Sequence, residues 1–178
     1  GLTLTELGAS SLAPLASLTF AGSPVDAPDT GGIQILGCPQ LEDLSGLESL
    51  KDVDNVVISS NEKLRGALLT PRANVNRIEL SDNPALTDIY SLYILETVSE
   101  LVVFRNAALR DLDVFDGITV GTFQVLFNES LTSVRLPTLR LADEESTVDV
   151  SSNPSLELID LRSMKNARNG IRPAETMT

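Results

Sequence analysis

One short template recurs through most of this chain: apolar-x-apolar-x-x-Asn-x-x-Leu. Its plainest copy is Leu101-Val102-Val103-Phe104-Arg105-Asn106-Ala107-Ala108-Leu109. Ile78-Glu79-Leu80 leads to Asn83 and Leu86, and Val56-Val57-Ile58 leads to Asn61 and Leu64. Phe123-Gln124-Val125 leads to Asn128 and Leu131, and Val148-Asp149-Val150 leads to Asn153 and Leu156. Ile33-Gln34-Ile35 leads to Cys38 and Leu41, with Cys in the Asn slot. Six copies start at 33, 56, 78, 101, 123 and 148, so the steps are 23, 22, 23, 22 and 25 residues. A period in that range is the mark of a solenoid. One repeat cannot bury its apolar side alone, whereas stacked repeats share a continuous core.

Between copies the apolar residues keep stepping by three. The first copy continues through Leu44, Leu47, Leu50 and Val53, the third through Ile89, Leu92, Leu95 and Val98. On a helix each step of three advances about 300°, so the stripe slips about 60° every time. Five steps would carry it round most of the helix, and no single apolar face follows that path. Short extended or 3₁₀-like segments between corners fit better. The second repeat is looser, with Pro71 and Asn74 in its loop. The fold class expected is mainly β: a right-handed β-helix or leucine-rich-repeat-like solenoid of about six coils with irregular terminal caps.

The repeat runs unbroken over 33–156, so the 178 residues read as a single domain, 1–178. Residues 1–32 form an atypical N-terminal coil or cap. There Leu12, Leu15 and Leu18 step by three into Phe20, as the end of a coil runs into a strand, and a turn-rich stretch from Gly22 to Gly32 follows. Residues 157–178 form a C-terminal cap and a polar tail expected to be disordered. Aromatics are only 4% of the chain, so the core is expected to be aliphatic. The net charge of −12, from 25 acidic and 13 basic residues, argues against nucleic acid and anionic membranes as partners. No run of apolar residues is long enough to span a bilayer, and no signal peptide is visible.

The Asn slot has a structural explanation. Alternation sends both template apolar residues inward. The Asn follows where the strand bends, and its amide both donates and accepts. Stacked Asn61, Asn83, Asn106, Asn128 and Asn153 can therefore satisfy backbone groups buried at the bend. Cys38 is a small substitute in the same ladder. No histidine exists to activate its thiol. Asn128-Glu129-Ser130 matches a glycosylation sequon, but the ladder turns Asn128 inward.

The same lack of histidine removes Ser-His-Asp and Cys-His catalysis and imidazole metal sites. Carboxylates remain as candidates for polysaccharide chemistry. The outward slot between the core residues reads Gln34, Val57, Glu79, Val102, Gln124 and Asp149. It stacks no carboxylates on neighbouring coils; Glu79 and Asp82 share one coil, with Arg105 on the next, and read as solvated surface. Asp143-Glu144-Glu145 lacks the alternating spacing of a calcium loop. No catalytic residue, cofactor or metal is expected. What stands out is apolar: Val102, Phe104, Leu126 and Phe127 project from the sheet on adjacent coils. With Arg105, Glu79 and Gln124 they form the candidate binding face, since contiguous exposed apolar groups mark interaction sites.

The pattern from Val98 to Leu109 is similar to leucine-rich repeats. Those usually carry a Leu two residues after the Asn; here it stands three after. That variant, followed by Leu-x-x-Leu-x-x-Leu, resembles the receptor L domain of insulin- and EGF-receptor ectodomains and its microbial relatives, over about two-thirds of the chain. The resemblance implies an extracellular or cell-surface protein that binds other molecules. The paired cysteines of the animal modules are missing, which favours a microbial surface or secreted protein. The expected function is a non-enzymatic protein- or glycan-binding or adhesion module, or one that self-associates through the sheet face. A structural spacer of a cell-envelope protein and a polysaccharide-active β-helix enzyme are the alternatives.

Overall fold

The computed structural model describes residues 1–17, 31–47, 49, 53–68, 73–90, 95–113 and 117–163. Each apolar-x-apolar pair lies in a strand, because side chains two apart share a face of an extended chain. The strands are β1 (Leu2–Thr5), β2 (Ile33–Leu36), β3 (Asn55–Ser59), β4 (Gly66–Leu68), β5 (Ala73–Ser81) and β6 (Asp88–Tyr90). There follow β7 (Leu95–Phe104), β8 (Asp111–Leu112), β9 (Thr119–Leu126), β10 (Ser133–Arg135), β11 (Arg140–Leu141), β12 (Thr147–Ser151) and β13 (Leu158–Asp160). The one helical element among the described residues is a 3₁₀ turn, Ala13–Leu15.

Strands β1, β2, β3, β5, β7, β9 and β12 form one parallel sheet in that order, with the short β11 also against β9. Template copies stay in register: Ile33 pairs with Val56, Val56 with Ile78, Ile78 with Leu101, Leu101 with Phe123, and Phe123 with Val148. The chain is therefore a β-solenoid of stacked parallel coils. The return path carries shorter ladders, β4 with β6 and β10 between β8 and β13. The segments stepping by three are these strands and the tight turns between them. In each turn a Leu N–H donates to the carbonyl of the slot Asn, as in Leu86 to Asn83 and Leu109 to Asn106, both at 3.1 Å.

The first coil adds a pairing that the period does not contain. The strand expected near Leu18 to Phe20 lies outside the described residues, as does the tail from 164. The neighbour of β2 is β1, with Leu2 opposite Ile33 and Leu4 opposite Ile35. That step is 31 residues, from 2 to 33, and no regular period reaches it. Leu50, Pro71 and Leu92 also lie outside the described residues.

The core is a single aliphatic cluster running through the coils, with Phe123 its one fully buried aromatic among the described residues. Strands β5, β7 and β9 are long because they turn a corner without breaking. Two outward residues follow one another there: Asn76 and Arg77, Ser99 and Glu100, Gly121 and Thr122, each pair between buried residues. At the last of these corners a Cβ on Gly121 would lie 2.7 Å from the Ser99 carbonyl oxygen, so only glycine lets the coils approach.

Each coil then reverses at one left-handed residue: Glu6, Gly37, Ser60, Asp82, Arg105, Phe127 and Ser152, with φ from 52° to 60°. The residue after it turns inward into the ladder. Cys38, Asn61, Asn83, Asn106, Asn128 and Asn153 are all fully buried. Each Asn side-chain oxygen accepts the backbone N–H of the preceding slot. The distances are 2.9 Å from Cys38 to Asn61, 3.0 Å from Asn61 to Asn83 and 3.2 Å from Asn83 to Asn106. They continue at 3.0 Å from Asn106 to Asn128 and 2.8 Å from Asn128 to Asn153. Each amide nitrogen donates back to a strand carbonyl: Asn61 to Ile35, Asn83 to Ile58, Asn106 to Leu80, Asn128 to Val103 and Asn153 to Val125. The Cys38 thiol approaches the Leu4 carbonyl at 3.8 Å, the equivalent position one coil earlier. The ladder thus pairs the main chain at every bend, as its amide chemistry requires. Asn128 has no exposed surface, so the sequon there lies inside the protein.

Candidate functional site

The outer face of the long sheet is a grid set by register. One row runs Gln34, Val57, Glu79, Val102, Gln124, Asp149, and the next runs Leu36, Ser59, Ser81, Phe104, Leu126, Ser151. Beyond them lies the column of left-handed residues. Neighbours in a row stand about 4.8 Å apart. Val102, Phe104, Gln124 and Leu126 are half-buried, as expected of side chains standing on a sheet, while Val103 and Val125 between them are fully buried.

Two adjacent coils gather the apolar surface. Phe104 and Leu126 are register partners. Phe127 follows Leu126 in the left-handed slot and is 48% exposed. Its ring meets that of Phe104 edge-on, 5.6 Å between centroids at 77°. Arg105 packs against both rings. Its guanidinium lies 4.7 Å from the Phe104 centroid and 5.9 Å from that of Phe127, which joins the two rings through cation–π contact. Asp82 reaches the same guanidinium only at 4.0 Å.

The polar side of the face differs from the solvated surface expected at Glu79. Arg77 bridges two coils, pairing with Glu79 at 2.7 Å and with Glu100 on the next strand. Ser81 donates its hydroxyl proton to Glu79 at 2.8 Å, and its oxygen lies 3.0 Å from the Ser59 hydroxyl. Burial works against the charge of Glu79. The hydrogen bonds from Arg77 and Ser81 and the Arg77 charge outweigh it, so its carboxyl lies below the ordinary range. The Arg77 proton is held more tightly in turn, chiefly through its hydrogen bond to Glu79. Arg77 and Glu100 were legible in the slot just before each template, which reads Asn55, Arg77, Glu100, Thr122, Thr147. Opposite charges there fall on neighbouring coils, Arg77 opposite Glu100.

A general acid needs a raised carboxyl pKa, and Glu79 is shifted the other way. Among the described residues no three of His, Cys, Asp and Glu gather as a metal site, and no helix is long and apolar enough to cross a membrane. No protein family, curated protein or solved structure matches the chain.

Proposed function

We propose that this chain is a non-enzymatic binding or adhesion module of an extracellular or cell-surface protein, akin to receptor L domains. It meets a protein or glycan partner through the face of Val102, Phe104, Arg105, Leu126 and Phe127, edged by Glu79 and Gln124. The observation that carries this reading is Phe127. A side chain in the left-handed region costs about 1–2 kcal/mol, and Phe127 holds φ at 58° while nearly half exposed. The fold imposes the left-handed φ on this slot in every coil, Ser60 and Ser152 included, but it does not require an aromatic there. A large exposed ring kept in that slot, beside a second ring and an arginine, fits an interface anchor. Glu79, with its lowered carboxyl pKa and its ion pair, speaks for binding over hydrolysis.

The test is the double variant Phe104→Ser with Leu126→Ser, compared with the parent on a glycan array, against protein ligands and in sedimentation. The expected result is an unchanged fold and at least about a tenfold loss of affinity for a partner, the size of a lost anchor. A double variant that keeps the parent's oligomeric state and every ligand places the binding site elsewhere. A parent that binds nothing and stays monomeric favours the spacer reading.

A further inference from the structure

The apolar stripe is two coils wide, and carboxylates stand on both sides of it. The coil before carries Glu79 and Asp82, and the coil after carries Asp149. Their hydrogen bonding is unequal. Glu79 is engaged by Arg77 and Ser81. Asp82 has only the 4.0 Å approach of Arg105. Asp149 has a side-chain oxygen that is enclosed and lacks any hydrogen-bond partner. That oxygen is closed to any partner, but Asp149 as a residue is only half-buried, so what it offers the face is the negative charge of its carboxylate. Asp149 sits on β12, whose described partner is β9, beside Gln124.

These positions define a line across the face. Asp82 and Asp149 are three strands apart, roughly 14 Å at the spacing of neighbouring strands. Phe104 and Leu126 occupy the two strands between them. An extended peptide advances about 3.4 Å per residue and sends residues i, i+2 and i+4 to one side. Two basic residues at i and i+4 then span roughly 14 Å, with an apolar side chain at i+2 between them. The long stem of a lysine covers the offset of Asp82 along its strand.

Charge decides among occupants. A second copy would bring another chain of net charge −12 against this one. A neutral glycan supplies hydroxyl donors but gains nothing from the acidic flanks. We propose that the face binds an extended cationic peptide segment of a basic protein partner, of pattern basic-x-apolar-x-basic. Its apolar side chain rests on Phe104, Leu126 and Phe127, and its basic groups reach Asp82 and Asp149. This inference rests on the binding role proposed above and names the partner's chemistry.

The probe is a fluorescent peptide, Gly-Lys-Thr-Leu-Thr-Lys-Gly, acetylated and amidated, titrated with the intact chain by anisotropy. Saturable binding is expected, at least about tenfold weaker for Phe127→Ser and for the pair Asp82→Asn with Asp149→Asn. It should weaken further as salt rises from roughly 50 to 500 mM. Phe127→Ser keeps the fold, because serine already occupies that slot in two other coils; thermal melts check this. Equal binding of the peptide with both lysines changed to glutamate, or with the leucine changed to serine, overturns the proposal. A neutral glycan that binds the parent but not Phe127→Ser, with the peptide silent, overturns the proposal while the binding role stands. A parent dimer that Phe127→Ser dissolves, with the peptide silent, has the same meaning. If peptide, glycan and self-association are all absent, both readings fall.

Discussion

Asn106 shows how much rests on single side chains here. Its oxygen accepts the Asn83 backbone N–H, and its nitrogen donates to the Leu80 carbonyl. Asn106→Ala strands both groups in a site with no exposed surface. The expected cost is roughly 1–3 kcal/mol, read by urea unfolding; a change within about 0.5 kcal/mol, typical of surface sites, would mean the ladder bonds do not hold the bend. Glu79 supplies a pH dependence. Its folded carboxyl pKa is lowered, so its contribution to stability is present above the ordinary value of 4.5. That contribution is lost as pH falls below 4.5 through the lowered folded value. Its partner Arg77 is partly exposed, so the effect stays below about 1 kcal/mol. Melts of Glu79→Gln and parent should differ at pH 6 and converge as the pH nears 3. Equal melts at both pH values would show that the ion pair adds no stability.

At the scale of the strand, alternation makes β7 and β9 two-sided, and the two sides predict opposite responses. Val103→Ser puts a hydroxyl among fully buried aliphatic neighbours and should destabilise by several kcal/mol. Phe104→Ser with Leu126→Ser touches only half-buried outward residues and should melt much closer to the parent. A double variant melting as early as Val103→Ser would make the outward patch core. The corner of β9 offers a separate test. Gly121→Ala sets a methyl 2.7 Å from the Ser99 carbonyl oxygen, with backbone on both sides. Backbone must shift, at a cost of about 1–3 kcal/mol. Unchanged unfolding would mean that the coils can move apart there without loss.

As a whole molecule, the solenoid has stability that varies along its axis, because each coil contacts chiefly its neighbours. The strands β5, β7 and β9 are flanked on both sides, whereas the described pairings of β1 and of β12 leave one side of each open. Native-state hydrogen exchange should therefore be slowest in β7 and faster in β1 and β12. Uniform exchange would mean that the stack opens as a single unit. The acidity of the whole chain, −12, acts beyond any contact. It sets up repulsion between copies of the chain, which salt screens.

The repeat period, the inward pair, the ladder and the outward apolar slots were all legible in the sequence. Each depends on spacing along one chain, and backbone geometry converts spacing directly into facing. Four features were decided only in three dimensions. The pairing of Leu2 with Ile33 spans 31 residues, and nothing in the period announces it. The template slot sets Arg77 beside Glu100, but that the same guanidinium also turns along its own strand to Glu79 was decided by the folded chain. The left-handed backbone of Phe127 is imposed by the bend into the ladder, against the preference of its own side chain. Arg105 lies over two rings because that same column sets it beside them, where its planar cation finds apolar faces to cover. Sequence fixes what each coil presents; the stacking of coils fixes which of those groups meet.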